Sequence, residues 1–399
     1  MVKWQPLLPA SEPDWKLLLL WGALVSVGIV MVASASIAFA SAYYGNAFYF
    51  VERHIIFLVM GVTSAAVVFL VPGELWQKLG VPLLIVAIML LVVVLIPGIG
   101  KKVNGSQRWI SFGFFAVQIS ELAKFAVIIF FASYFSRRQP VAVSSWKEFG
   151  ALIAVLGGLL TLLILEPDFG STVVIGATSI AIMFIAGLKL RYFLPMALGA
   201  LGMLAALAVA SPYRLKRLVT FLDPWADQFN SGYQLTQSLI AFGRGEWFGV
   251  GLGNSVQKLF FLPEAHTDFI FAIIAEEIGL IGCVLLLAIF AGLIKRTLTI
   301  ASRCYNRHLF FYAYACFGVA IVLSLQVFIN VGVSCGLLPT KGLTLPFISY
   351  GGSSLIICCS MLALVMRASM EANVVPQTQT AVTNPSRLRR ESMVAGEMS

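Results

Sequence analysis

Residues 17–40 read LLLLWGALVSVGIVMVASASIAFA, a run with no charged side chain and no alternation of apolar and polar positions. A bilayer core about 30 Å thick needs about 20 helical residues at 1.5 Å each, so this stretch is long enough to cross one as a helix. Working outward, Ile55–Val71, Val81–Pro97, Phe125–Phe135, Ala151–Leu165 and Leu280–Ile294 repeat the pattern. With the weaker runs included, spans are predicted near 17–40, 54–71, 80–97, 116–136, 149–165, 170–187, 192–210, 269–294, 309–331 and 350–370. The predicted fold class is therefore an all-α polytopic membrane protein of about ten transmembrane helices, each satisfying its own backbone hydrogen bonds.

Composition agrees with that reading. Of 399 residues 59% are hydrophobic and 11% charged, with a mean hydropathy of +0.92. A soluble domain carries about 25% charged residues, so a water-facing surface cannot be built from this chain. Ten spans put both termini on one side. Sixteen Lys and Arg residues fall on that side and ten on the other, and translocated loops avoid these cations. Both termini are thus expected in the cytoplasm, and this asymmetry accounts for most of the net charge of +9 without a nucleic-acid partner. The expected domains are a cytoplasmic segment 1–16, a membrane domain 17–370 and a disordered polar tail 371–399. Ala38-Phe39-Ala40 imitates a signal-peptidase site, but the apolar run before it exceeds the 7–15 residues of a cleaved signal, so the first span is expected to stay. The six cysteines show no CxxC spacing and are read as packing residues, with neither disulfide nor metal assigned.

Three connections are longer than the rest: 98–115, 332–349 and the long exported loop 211–268 between spans 7 and 8. All three lie on the exported side. The last contains Gly243-Arg244-Gly245-Glu246-Trp247 and Gly249-Val250-Gly251-Leu252-Gly253-Asn254. These glycines do not fit a P-loop, which requires Lys-Ser or Lys-Thr after the last glycine. They suit either tight turns packed on the membrane domain or a backbone cradle for phosphate or sugar.

Asp268 stands where this loop meets the next apolar run, in Leu262-Pro263-Glu264-Ala265-His266-Thr267-Asp268-Phe269-Ile270-Phe271-Ala272. Thr267 or Asp268 is placed to cap the helix that follows. Glu264, His266, Glu276 and Glu277 add titratable groups nearby, which capping does not explain. In a straight helix Glu276 lies about 80° around and about 12 Å beyond Asp268, and Glu277 faces away. A paired-carboxylate hydrolase, whose carboxyls sit within about 10 Å of each other, is disfavoured, and a single carboxylate base is left. Glu121 and Lys124 share one helix face and can pair, as a structural ion pair or as a cavity wall offering a cation. Glu166-Pro167-Asp168-Phe169-Gly170 is a tight turn with two carboxylates. Arg108, Lys341 and Tyr350-Gly351-Gly352-Ser353-Ser354 belong to the same exported face.

Those residues resemble the SEDS family of bacterial cell-wall glycosyltransferases, named for shape, elongation, division and sporulation. The resemblance runs from about Leu17 to Met370. Leu262–Ala272 with Glu276-Glu277, and Gly336-Leu337-Leu338-Pro339 through Ser354, carry it most specifically. Asn104-Gly105-Ser106 with Arg108-Trp109-Ile110, Gln118–Lys124 and Glu166–Gly170 match as well. Pro339-Thr340-Lys341-Gly342-Leu343-Thr344-Leu345-Pro346 and Met31–Ser36 look like the division branch.

The resemblance implies polymerisation of lipid II, a disaccharide-pentapeptide on undecaprenyl pyrophosphate, at the outer face of the bacterial cytoplasmic membrane during division. It also implies a class B penicillin-binding transpeptidase and other divisome membrane proteins as partners. Asp268 takes the position of the family's proposed catalytic aspartate. A sugar hydroxyl needs such a base to attack. A departing pyrophosphate needs cations or a divalent metal, Mg or Mn, and no organic cofactor is expected. Arg108, Lys124 and Lys341 are the candidate cations, with Glu121, Glu166, Asp168, His266 and Ser353 as further substrate-binding residues. One base without a nucleophile implies inversion at the donor carbon. Lipid II translocation is the competing class, since many spans with intramembrane charges also suit a transporter; it predicts essential charges at mid-depth.

Overall fold

The structure, a computed structural model, describes residues 11–103, 106–111, 113, 116–138, 145–209, 220–339 and 342–374. Long helices occupy each predicted span: α1 (Trp15–Tyr44), α2 (Tyr49–Leu70), α3 (Gly73–Leu95), α4 (Ile119–Ser136), α5 (Trp146–Leu165), α6 (Phe169–Ile185) and α7 (Leu190–Val209). A shorter helix, α8 (Tyr233–Gly245), lies in the long loop, and α9 (Ile270–Asn306), α10 (Phe310–Ser334) and α11 (Gly352–Val374) follow. Among the described residues, eight helices are long and apolar enough to cross a membrane, and α6 is a shorter apolar helix. α4 and α11 are buried almost all round, with α2 and α10 packed beside them, whereas α2 and α3 leave apolar faces such as Val59, Val67, Ile85 and Met89 exposed. An apolar outer face around a buried centre is what lipid as solvent requires.

The structure departs from the sequence reading in the loops. The connection 98–115 contains strands β1 (Gly100–Val103) and β2 (Ser106–Ser111), and β3 (Ala116–Gln118) takes the first residues expected in the fourth span. The three form an antiparallel sheet in the order β1-β2-β3, with Lys101 opposite Trp109 and Ile110 opposite Val117. Strands of three to six residues are too short to show alternation, so α4 begins at Ile119, not 116. α9 likewise continues to Asn306, well past 294. Of the predicted tail 371–399, residues 371–374 are instead the last turn of α11, and 375–399, like 210–219, lie outside the described residues.

Helix α9 is interrupted at Gly279, which has φ 73°. The break strands two carbonyls and two amides, and the glycine-rich loop meets all four. Val250 N and Gly251 N donate to Glu276 O and Glu277 O (2.9 and 3.1 Å), while Leu280 N and Ile281 N donate to Glu246 O and Trp247 O (2.9 and 3.2 Å). Amides spent on a helix are not available to cradle phosphate, so these glycines work as packing turns. The two side chains complete the join. Glu276 accepts from Val256 N (3.1 Å), Gln257 N (3.2 Å) and Ser255 Oγ; Glu277 accepts from Lys258 Nζ (2.7 Å) and Ser34 Oγ (2.6 Å).

A second irregular stretch, 342–351, runs buried between helices. A Cβ at Gly28 of α1 would sit 2.4 Å from Phe347 O, which shows how far this segment enters the bundle. Non-helical backbone at such depth is tolerated only inside protein. At the opposite end Asp14, the N-cap of α1, receives a two-toothed contact from Arg296 (2.6 and 2.9 Å) and a bond from Ser369 Oγ (3.2 Å). Ser11 Oγ donates to Met370 O (2.9 Å), so the two ends of the described chain meet. All six cysteines are free thiols.

Gly279→Ala tests the interruption. Its Cβ would sit 2.4 Å from Gly249 N in a left-handed backbone, and the expected cost is about 1–3 kcal/mol or more. The detergent-solubilised variant should melt clearly below the wild type; equal melting temperatures would show that the join is soft.

Candidate active site

The turn Glu166–Asp168 joins α5 to α6, and its residues are fixed from three directions. Asp168 caps α6, accepting from Ser171 N at 3.1 Å through Oδ1. Its Oδ2 accepts from Ser120 Oγ (2.8 Å) and Gln118 Nε2 (3.4 Å) at the start of α4. From β2, Arg108 donates through Nε to Glu166 O (3.2 Å) and through Nη2 to Pro167 O, with Nη1 3.8 Å from Asp168 Oδ1. The sheet thus exists at this end to aim Arg108, whose fork closes on the turn while its side chain stays 22% exposed. Ser353, at the start of α11, accepts from Gln118 N (3.0 Å) and donates to Ala116 O (3.4 Å), tying that helix to β3.

Glu166 is wholly buried, and neither carboxylate oxygen has a hydrogen-bond partner among the described residues. Burial first, and the neighbouring Asp168 second, push its carboxyl up to about 8 against the pull of Arg108.

Asp268 lies in the turn before α9. The N-cap of α9 is Phe269, with no side-chain cap bond, and Thr267 Oγ1 donates instead to Glu264 Oε2 (2.6 Å). Neither Thr267 nor Asp268 caps the helix, which removes the simplest alternative for Asp268. Among the described residues its carboxylate accepts no hydrogen bond, although the residue is half-buried. Burial, with Glu264 adding to it, pushes the Asp268 carboxyl up to about 7, while Arg108 opposes. A Cβ on Gly342 would come within 2.9 Å of Asp268 Oδ2, so backbone without a side chain faces the carboxylate.

His266 packs its ring against Phe50 (4.5 Å between centroids), Phe39 (5.8 Å) and Tyr350 (5.8 Å), and its carbonyl accepts from Tyr350 N at 2.9 Å. Burial lowers its pKa, so it serves as a neutral aromatic anchor for the turn. Glu121 and Lys124 form the expected pair, at 2.7 Å, and both are buried within α4; Glu121 Oε2 has no hydrogen-bond partner among the described residues. Lys341 lies outside the described residues.

Gln118, Ser120 and Asn330 are polar members of this end that the sequence reading does not single out. Side chain to main chain bonds across distant segments leave no periodic signal. Among the described residues there is no group of three or more His, Cys, Asp or Glu able to hold a metal ion, so these side chains alone do not build a cation cage.

Comparison with known proteins follows the same lines. The chain is 55% identical over 360 residues to the probable peptidoglycan glycosyltransferase FtsW of Saccharophagus degradans, covering 90% of this chain and 93% of that one. It is 51% identical to the corresponding protein of Coxiella burnetii over 88% of this chain and 94% of that one. Its fold is similar to the rod shape determining protein RodA of Thermus thermophilus, with TM-score 0.68, 26% identity and 92% and 99% of the two chains covered. A structure described as the structural coordination of polymerization and crosslinking by a peptidoglycan synthase complex matches with TM-score 0.73 at 28% identity, over 90% and 98% of the two chains. The cell cycle protein family of FtsW, RodA and SpoVE matches residues 14–374. This chain belongs to that family.

Proposed function

We propose that Asp268 is the general base of a peptidoglycan glycosyltransferase that polymerises lipid II in cell division. The enzyme class and the role in division accord with the family and with relatives at about half identity. The observation that carries the residue assignment is the Asp268 carboxylate itself. It is free of hydrogen-bond donors among the described residues, and burial pushes its carboxyl up to about 7, where at neutral pH about half of it is ionised and able to accept a proton.

The chemistry needs little else from the chain. The acceptor sugar's 4-hydroxyl gives its proton to Asp268 as its oxygen attacks the donor's anomeric carbon. The bond from that carbon to the lipid pyrophosphate breaks, and the pyrophosphate leaves with the bonding pair. One displacement inverts the carbon. Glu166, too buried to ionise readily at neutral pH, is a hydrogen-bond donor at the site, not a second base. Arg108 orders the Glu166–Asp168 turn and, with Lys341, supplies the positive charge that the pyrophosphate needs, while the buried Glu121–Lys124 pair, neutral as a unit, braces the helix beside it. A magnesium or manganese ion would offset that charge as well, held mainly by the pyrophosphate oxygens and at most one or two carboxylates. Ser353 and His266 frame the pocket through the backbones they fix.

The chain is a multi-pass protein of the bacterial inner membrane. We assign both termini to the cytoplasm on the cation count, which places Asp268 and the sheet on the outer side, where the glycan is made, at the septum. A single-pass class B penicillin-binding transpeptidase is the proposed partner, together with other divisome membrane proteins. The similarity to the peptidoglycan synthase complex supports it.

Asp268→Asn should insert normally and lose glycan synthesis by about 10²-fold or more when purified enzyme, transpeptidase and lipid II are scored for chain length. Chains of wild-type length would remove the base assignment. Because the working form is the carboxylate and its pKa is raised to about 7, kcat/KM should climb as pH rises through about 7 and level off above it. A profile flat from pH 5 to 8 would contradict this. Leu252→Cys, 61% exposed, should react in a cysteine-free background with a membrane-impermeant reagent added outside; labelling from the cytoplasm alone would reverse the orientation.

A further inference from the structure

We infer that Asn330 is a positioning residue for the reaction, holding Asp268 at a fixed distance from the Gly342 backbone; this rests on Asp268 being the base. Asn330 is buried in α10 with 1% of its surface exposed. Both hydrogens of its amide nitrogen are used. One goes to Asp268 O at 2.9 Å and the other to Leu343 O at 2.7 Å.

These two carbonyls belong to segments 75 residues apart in sequence, and neither has a helical partner. Asp268 precedes the N-cap of α9, where Ala272 N already bonds to Phe269 O. Leu343 lies in the irregular stretch 342–351. A single amide group therefore staples the catalytic turn to that stretch at the point where Gly342 faces Asp268 Oδ2. Asn330 never touches the carboxylate. It fixes where the carboxylate's backbone sits, while the missing side chain at Gly342 keeps a gap beside Oδ2 for the hydroxyl that is to be deprotonated. Alignment of this kind is worth a large factor in rate, since a displacement of about 1 Å can cost about 10²-fold.

The test uses purified full-length Asn330→Asp with its transpeptidase and lipid II. The substitution keeps size but replaces the two donors by an acceptor. The expected result is a kcat lower by about 10- to 10²-fold, with KM for lipid II little changed and the pH limb still near 7, because the carboxylate's own surroundings are intact. In an Asp268→Asn background the same change should cost little more, since there is no base left to position. Wild-type kcat in folded Asn330→Asp, or an equal loss in both backgrounds, would overturn the inference. If the Asn330 variant does not fold, Gly342→Ala reads the same geometry from the other side. Its methyl would crowd Oδ2 and should lower kcat in a folded protein, and full kcat there would overturn the inference too. Full activity of Asp268→Asn alone is a separate outcome that removes the base assignment and this inference with it. An inactive Asp268→Asn beside a fully active Asn330→Asp removes only the inference.

Discussion

Inside lipid a main-chain amide or carbonyl has no water to turn to, and the rest of this structure is arranged around that fact. Regular helices meet it automatically, so the instructive places are the two where the helix is abandoned. At Gly279 the loop 246–251 supplies the four missing bonds in reciprocal pairs. In the stretch 342–351, Asn330 and the Ser349 hydroxyl, which accepts from Leu345 N at 2.8 Å, do the same work with side chains. Both repairs lie around α9 and its preceding turn. The residue assigned as base thus sits beside irregular backbone that side chains and a loop tie down, which leaves it little freedom to move.

The carboxylates at this end have been sorted by what surrounds them. Asp168 receives three donors and caps a helix, so it is held in place as part of the fold. Glu166 receives none among the described residues and is buried, which favours its protonated form. Asp268 receives none among the described residues but keeps partial exposure, and burial raises its carboxyl to about 7. Three acids thus differ in their surroundings through hydrogen bonding and burial alone.

Much of this was legible in the amino-acid sequence, and for identifiable reasons. Membrane helices announce themselves through uncharged runs that no water-facing element tolerates, so all the spans appear near their predicted places. Glu121 and Lys124 pair as their spacing requires, because i and i+3 are neighbours on any helix. The family motifs marked Asp268, Glu166 and Arg108 as one group. What stayed hidden depends on long-range contacts. The strands are too short for a periodic signal, Arg108 spends its donors on carbonyls, and Glu276 and Glu277 are consumed in joining a loop to a helix. Asn330 looks like any polar residue in an apolar run until Asp268 and Leu343 are seen on either side of it.

The contact between Asp14 and Arg296 has a consequence for the order of events during synthesis. Asp14 begins the first helix, but the arginine that neutralises it comes 282 residues later and the serine that completes the set 355 residues later. The first helix therefore enters the membrane with its anchor unmet and waits for the ninth and eleventh to emerge from the ribosome. Closure of the bundle is a late step, governed by the last helices made, and a chain truncated before residue 296 leaves Asp14 held only by the Leu17 amide of its own helix.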